Sequence, residues 1–179
     1  ARVDAPWRLT VVGRATDASY RSSVDRQVVD AGCADRVRFT GRIPDADLAD
    51  VLRSGHLIAI PSRHEGFGIA YLEAMAFGLP ALATTAGGAV DIVTHGENGF
   101  LVDPDDPEAV AAAISSVASD RDRLARMGRA ARRRFDAHPG WTETAERVRS
   151  FLVEVAGGDD GPGGAGTAVD PESTASEVI

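Results

Sequence analysis

The sequence contains no lysine, a single cysteine at position 33 and no long apolar run. One thiol excludes an internal disulfide and a thiolate metal cluster. No apolar run approaches the roughly 18 residues needed to span a membrane, and no signal peptide opens the sequence, so we expect a cytoplasmic location, compatible with peripheral attachment at the inner membrane face. The net charge of −8 makes nucleic acid an unfavourable partner.

The length and composition of the chain fit one globular domain. With 179 residues, 44% of them hydrophobic, the chain can bury a full core. Residues 157–179 lack aromatic residues and apolar periodicity, which predicts a disordered acidic tail rich in Gly, Pro and Ser after a folded domain of residues 1–156. Because the sequence begins with Ala and not Met, we expect it to be a fragment of a longer protein.

Short apolar segments that end at glycine or proline alternate with segments of helical spacing. The predicted strands cover residues 8–12, 37–40, 57–60, 80–83 and 99–102, and the unbroken apolar run 57–60 is expected to be covered on both faces. Asp45 is predicted to cap a short helix after the second strand. After residue 102 the pattern is helical throughout, with Asp106 and Pro107 as a capping pair and an apolar stripe from Trp141 to Val155 on the last helix. The alternation predicts a single Rossmann-like α/β domain, with a parallel sheet covered by helices on both faces and an all-helical C-terminal stretch. Ligands of such sheets bind beyond the carboxyl ends of the strands.

The segment that carries the most chemistry is residues 60–80, IPSRHEGFGIAYLEAMAFGLP. A strand leads into a loop in which Gly66 and Gly68 flank Phe67, and a helix is predicted to begin near Gly68. Free N–H groups in the first turn of a helix favour an anion. The carboxylates of Glu65 and Glu73 are acceptors suited to sugar hydroxyls. A ligand with hydroxyls at both ends and phosphate between them, such as a sugar nucleotide, fits this pattern.

The same segment resembles a known family signature. The spacing of Glu65 and Glu73, with the surrounding EGFG and LEAMAFGLP blocks, is similar to the E-x7-E motif of the retaining GT-B glycosyltransferases of the GT4 type (glycosyl transferases group 1). The resemblance extends from about residue 8 to residue 152. It implies that the chain is the C-terminal, donor-binding half of such an enzyme.

The resemblance implies a role for each matching position. Glu65 would bind hydroxyls of the donor hexose, and Glu73 would bind the ribose hydroxyls. The remaining assignments are donor-sugar contacts from Gly66, Phe67 and Gly68; nucleotide contacts from Arg42, Ile43, Gly13 and Ile69; and contacts in the cleft near the diphosphate from Gly87, Gly88 and Arg14.

The sequence departs from the family in three ways. The first loop reads Gly13-Arg14-Ala15 without a second glycine, and Asp91 stands where glutamate is usual. The family's diphosphate-clamping Arg/Lys pair and its N-terminal acceptor domain are absent from this sequence. We therefore assign no catalytic residue and expect this fragment to be inactive alone. The implied partners are a nucleoside diphosphate sugar, an acceptor glycan, lipid or small molecule, and an N-terminal GT-B domain in cis or in trans; no cofactor and no metal are expected.

Other functions stay open at this point. The chain could be a non-catalytic sugar-nucleotide-binding module or a subunit of a split transferase, and GT-B epimerases and phosphorylases share the architecture. The histidines give no metal-ligand spacing. His64 is interpreted as a spacer within the motif, and Arg132–Arg134 as cations that complement a helix end.

Overall fold

The computed structural model of the chain describes residue 3 and residues 5–157. Apart from Gly157, the predicted acidic tail lies outside the described residues. The strands are β1 (Leu9–Val12), β2 (Val37–Gly41), β3 (Ile58–Ala59), β4 (Ala81–Thr84) and β5 (Gly99–Val102). The helices are α1 (Ala18–Asp30), α2 (Asp45–Ser54), α3 (Ile69–Met75), α4 (Pro107–Ala118), α5 (Arg121–Asp136) and α6 (Trp141–Gly157).

All pairing between the strands is parallel, which confirms the α/β prediction, but the strands form two sheets and not one. β1 pairs with β2, with Leu9 opposite Val37. The second sheet has the order β3-β4-β5, with Ala81 opposite both Ile58 and Gly99. In this topology β1 and β3 each have one hydrogen-bonded neighbour.

The core lies around β4, the central strand of the second sheet. Its four residues are all buried because it has a neighbour on each side and helices on both faces. Ala81 and Ala83 belong to a cluster that contains Tyr71 and Met75 of α3. Leu82, which points to the other face, belongs to a cluster with Phe100 and with side chains of α4 and α5. The second sheet is therefore fixed from both faces.

The first part of the chain is much less buried. Among the described residues up to position 60, only Cys33 is buried. The 57–60 segment, predicted as a strand covered on both faces, has half-buried Ile58 and Ile60 and an exposed Ala59. The reason is that β3 pairs only with β4, which leaves its other edge open. Neither α1 nor α2 contains a buried residue.

Side-chain caps fix the starts of several helices. The carboxylate of Asp106 accepts the Ala109 N–H at 2.9 Å, with Pro107 at the first helical position, which confirms the predicted capping pair. The predicted cap at Asp45 is wrong. Pro44 occupies the N-cap of α2 without a side-chain hydrogen bond, and Asp45 lies in the first turn, where its charge complements the helix dipole.

The chain divides into two compact units, and the first, Ala1–His138, contains both sheets. The described part of the second unit is α6 with the two residues before it. The stripe on α6 predicted from its apolar spacing has no buried member; Trp141 is 89% exposed and Phe151 62%. None of the helices in the described part of the chain is long and apolar enough to cross a membrane.

Candidate functional site

Glu65 is the centre of the loop that connects β3 to α3. Its Oε1 atom accepts the Gly68 N–H at 2.9 Å, and its carbonyl oxygen accepts the Gly88 N–H at 2.9 Å. The side chain thus bridges the loop to the residue before α3, and the backbone joins the loop to the turn after β4. The structure therefore brings three predicted site residues, Glu65, Gly68 and Gly88, into direct contact.

Gly68 occupies the position at which only glycine fits. Its φ of 92° lies in the left-handed region, and a Cβ there would lie 2.8 Å from Cδ2 of Tyr71. Gly68 is the N-cap of α3, so the predicted helix start is confirmed. The helix is short and ends at Met75, earlier than the predicted end near Phe77. The N–H groups of Ile69 and Ala70, in its first turn, have no intrahelical acceptor.

Gly87 and Gly88 pack against the backbone of this loop. A Cβ on Gly87 would lie 2.0 Å from the Glu65 carbonyl oxygen, and one on Gly88 would lie 2.4 Å from the Gly66 carbonyl oxygen. Gly87 also has a φ of 89°. These glycines, predicted as contacts in the ligand cleft, thus have a packing role in the structure: they allow two loop backbones to touch.

Tyr71 is a residue that the sequence analysis did not single out. It is fully buried, and its hydroxyl donates to the Ile60 carbonyl at 2.7 Å, which ties α3 to the end of β3. Burial raises the pKa of the Tyr71 phenol, and the nearby negative charge of Glu65 raises it further. Its position three residues after Gly68, on the inward side of the predicted helix, was the signal that could have identified it.

The other predicted residues of this segment face outward. Phe67 is 53% exposed, and its ring centroid lies 5.8 Å from that of His138. Ile69 is 61% exposed. Glu73 is exposed on α3, five residues after Gly68 and so about 7 Å further along the helix axis. Glu65 and Glu73 therefore mark the two ends of a short surface.

A second group of predicted residues lies at the carboxyl ends of β1 and β2. The Gly13 N–H donates to the Gly41 carbonyl at 3.0 Å, which places Gly13 beside the turn that contains Arg42 and Ile43. Gly13 has a φ of 131°. Arg14 and Arg42 are exposed, and Ile43 is half-buried. The predicted site residues thus form two groups, one after each sheet.

Further polar contacts hold the site loops in place. The Thr84 hydroxyl, which is buried, donates to the Ser62 carbonyl at 2.6 Å. Arg134 donates to the Asp91 carbonyl at 2.9 Å, across 43 residues of sequence. His95 makes a structural contact, as predicted: its Nδ1 accepts the Leu101 N–H at 3.1 Å. The contacts of Thr84 and Arg134 could not be predicted from a local sequence pattern, because each joins residues that are far apart in the sequence.

The arrangement is suited to binding a polyol and an anion. Oε1 of Glu65 is oriented by Gly68, while Oε2 has no hydrogen-bond partner among the described residues and is free to accept a ligand hydroxyl. Backbone N–H groups of the glycine loop and of the start of α3 lie next to it. No group of three His, Cys, Asp or Glu side chains in residues 5–157 is placed to hold a metal ion.

An α/β fold with parallel strands and a glycine loop bracketed by two glutamates is what the sequence predicts for a glycosyltransferase domain of the GT-B type, and comparison with known proteins shows that class. The family model described as glycosyl transferases group 1 matches residues 1–134. The chain belongs to this family. The chain is 40% identical, over 124 residues, to a D-inositol 3-phosphate glycosyltransferase of Thermobispora bispora; the match covers 69% of the chain and 29% of that relative.

Other relatives cover more of the chain. It is 34% identical over 158 residues to a GDP-mannose-dependent alpha-(1-6)-phosphatidylinositol monomannoside mannosyltransferase of Mycobacterium tuberculosis, with 84% of the chain and 40% of the relative covered. Among solved structures, HepE of Anabaena in complex with UDP has a TM-score of 0.77 and 28% identity, covering 84% of this chain and 42% of that one. The chain thus spans less than half the length of these relatives.

Proposed function

We propose that this chain is the donor-binding domain of a retaining hexosyltransferase of the GT4 type, which takes a hexose from a nucleoside diphosphate sugar. The observation that carries the proposal is the position of Glu65, whose carboxylate is fixed by the Gly68 N–H while its backbone is fixed by Gly88. A carboxylate held in one orientation can select hydroxyls of one sugar face at low entropic cost. The family membership supports the same role.

Different parts of the donor are bound by different residues along α3 and in the neighbouring loops. In the proposal, Glu65 and the loop Gly66–Gly68 bind the hexose, and exposed Glu73 binds the ribose hydroxyls. Gly13, Arg42, Ile43 and Ile69 contact the nucleotide. Gly87, Gly88 and Arg14 lie near the diphosphate. Backbone N–H groups around the loop stabilise the negative charge that develops on the leaving diphosphate.

The acceptor is bound by a second domain in this proposal. HepE has been crystallised with UDP-glucose, and the mycobacterial relative is named for GDP-mannose and a phosphatidylinositol monomannoside. We therefore propose a nucleoside diphosphate hexose as donor and a lipid-linked or inositol-containing acceptor. The N-terminal GT-B domain, in cis or in trans, would supply the acceptor cleft and the groups that complete the transfer, and the enzyme would act in the cytoplasm without a metal or cofactor.

Calorimetry on the 179-residue chain tests the donor assignment. GDP-mannose, UDP-glucose and the free nucleoside diphosphates are titrated into the parent chain and into Glu65→Gln and Glu73→Ala. We expect Glu65→Gln to weaken the sugar nucleotides about tenfold or more while leaving the free diphosphates unchanged, because only the hexose contact is lost. Glu73→Ala should weaken both classes of ligand. Exposed Glu146, mutated to Ala, is the control.

These affinities distinguish the proposed donor-binding role from the alternative functions. If neither substitution changes the affinity of any ligand, the donor assignment is wrong. The family membership favours a transferase over an epimerase or a phosphorylase. A non-catalytic binding module or split subunit would bind the donor without transfer. To distinguish an enzyme from a binding module, an N-terminal GT-B domain is added and the transfer of a labelled hexose to an acceptor is measured. Restored transfer supports an enzyme, and continued binding without transfer supports a module.

A further inference from the structure

Helix α5 concentrates positive charge on a protein that is acidic overall. Its 16 residues, RDRLARMGRAARRRFD, contain seven of the 19 arginines, while its only acidic residues are Asp122 and Asp136. The chain as a whole carries a net charge of −8. The charge is therefore strongly segregated, and a surface of one sign is the footprint of a partner of the opposite sign.

The arginines of α5 face the solvent. Met127, Ala130 and Ala131 anchor the opposite side of the helix in the core. The exposed members are Arg121, Arg126, Arg129, Arg132 and Arg133, and we call these five side chains the arginine face. Arg132 is ion-paired with Asp136 at 2.9 Å, while the other four make no ion pair with the described part of the chain. Arg133, in the last turn, complements the helix dipole, but Arg121, Arg126 and Arg129 lie outside that turn, and the like-charged pair Arg129 and Arg133 destabilises a helix.

A groove flanks the arginine face on each side, and the larger of the two has an apolar lining. One groove, of about 500 Å³, is lined by Phe77, Leu79 and Leu124 together with Arg121, Arg129 and Arg132. On the other side a groove of about 350 Å³ is lined by Arg123, Arg126 and Arg133 together with Met127, and by one carboxylate, Glu97. Guanidinium groups above an apolar lining suit a partner with phosphates next to hydrocarbon.

Most of the arginine face lies away from the loop that contains Glu65, and only its Arg133 end approaches that loop, because the ring of His138, just beyond α5, lies 5.8 Å from that of Phe67. That loop leads into the N-terminal end of α3 at Gly68, whereas Gly78, just after the other end of α3, lines the larger groove. Arg132 marks the same end, since it donates to the Ala76 carbonyl at 2.9 Å. A surface docked on the arginine face would therefore leave the donor loop accessible.

We propose that the arginine face docks this domain on a lipid bilayer with anionic headgroups. A planar bilayer touches one face only, so the acidic remainder of the chain stays away from it, whereas a polynucleotide would also meet that acidic surface. The inference rests on the proposed function in one respect, which is that a lipid-linked acceptor requires the enzyme at a membrane. Binding is electrostatic and weakens with salt.

Sedimentation with vesicles tests the docking. The 179-residue chain is mixed with vesicles of phosphatidylcholine alone, or with about one third phosphatidylglycerol, at low and at high salt. The variant Arg126→Gln/Arg129→Gln/Arg133→Gln is compared with Arg8→Gln/Arg26→Gln/Arg38→Gln, which removes the same charge from exposed positions elsewhere. We expect only the first triple variant to lose binding to the anionic vesicles, by about a hundredfold at roughly fivefold per arginine.

Each outcome decides the matter. Equal losses in the two triple variants, or equal binding to neutral vesicles, would overturn the proposal. Tighter binding to single-stranded RNA than to vesicles, with the same dependence on the arginine face, would assign the face to a polyanion instead. Donor titration of the same samples keeps the two proposals apart. A parent chain that binds vesicles but no sugar nucleotide rejects the proposed function alone, and the converse result rejects the docking alone.

Discussion

The α-carbon of Gly87 lies so close to Glu65 that a Cβ on the glycine would be 2.0 Å from the Glu65 carbonyl oxygen. No side chain fits there without moving one of the two loops. The hydrogen bond from the Gly88 N–H to the same oxygen, at 2.9 Å, depends on this approach. The turn after β4 thus sets the position of the loop that contains the glutamate.

We expect Gly87→Ala to destabilise the chain by about 3 kcal/mol or more and to abolish donor binding. The left-handed φ alone costs roughly 1–2 kcal/mol, and displacing the Glu65 loop adds the rest. Gly96→Ala is the matched control, because Gly96 has a φ of 80° but nothing within 4 Å of the added Cβ. Urea unfolding should show a smaller loss for Gly96→Ala and calorimetry an unchanged donor affinity; similar losses in both variants would contradict the packing role of Gly87.

Much of the chain could be predicted because its signals are local. Strand β5 has the predicted limits, since Gly99 and the apolar run after it mark a strand directly. The start of α3 could be predicted because a glycine-containing loop stands directly before the apolar helical pattern. The capping pair at Asp106 and Pro107 is equally local. These features depend on neighbouring residues only.

The remaining features depend on contacts between distant segments. The 57–60 segment reads as a buried strand, yet its burial depends on which strands pair with β3, and the sequence does not specify that. The family resemblance implies a place in the cleft for Gly87, and only the fold shows that this glycine also packs against the Glu65 backbone. Tyr71 was overlooked because its partner, the Ile60 carbonyl, belongs to a different element.

A second prediction concerns Gly128 in the middle of α5. Helix propensity alone predicts that Gly128→Ala stabilises the chain by about 1 kcal/mol. The added Cβ would, however, lie 2.6 Å from the Gly78 carbonyl oxygen, which is backbone and cannot rotate away. We expect the cost of this steric clash to exceed the gain in helix propensity, so that urea unfolding shows a net destabilisation of about 1–3 kcal/mol.

The control for Gly128 uses the same helix. Ala125→Gly, at an exposed position of α5, should cost only the propensity difference of about 1 kcal/mol. A Gly128→Ala variant more stable than the parent chain would show that α5 can move away from Gly78 without cost. The close approach of Gly128 to the Gly78 carbonyl would then place no limit on the stability of the chain.

A third prediction concerns metal ions. In the proposal both oxygens of Glu65 are used, with Oε1 accepting the Gly68 N–H at 2.9 Å and Oε2 accepting a ligand hydroxyl, and no group of three His, Cys, Asp or Glu side chains in the described part of the chain is placed to hold a metal ion. We expect the affinity for a sugar nucleotide to change less than about twofold when EDTA replaces Mg²⁺. Calorimetry with dialysed protein measures this, and a tenfold loss in EDTA would place a metal in the donor complex.

The last prediction uses the buried phenol of Tyr71. Its hydroxyl donates to the Ile60 carbonyl, so Tyr71→Phe should cost about 1 kcal/mol near neutral pH. The pKa of this phenol is raised in the folded state by burial and by Glu65. The folded chain therefore holds the proton more tightly than the unfolded chain does. This contribution is complete below the unfolded pKa of about 10 and is lost as pH rises above it.

The stability advantage of the parent chain over Tyr71→Phe should therefore shrink as the pH rises above about 10, by up to ~1.4 kcal/mol per pH unit. Urea unfolding at a series of pH values measures it. The chain has only two tyrosines, and Tyr20 is 71% exposed, so Tyr20→Phe should follow the parent curve throughout. Comparing variants at the same pH cancels the titration of all other groups. A constant difference between Tyr71→Phe and the parent chain would mean that the phenol ionises as easily in the folded chain as in the unfolded one.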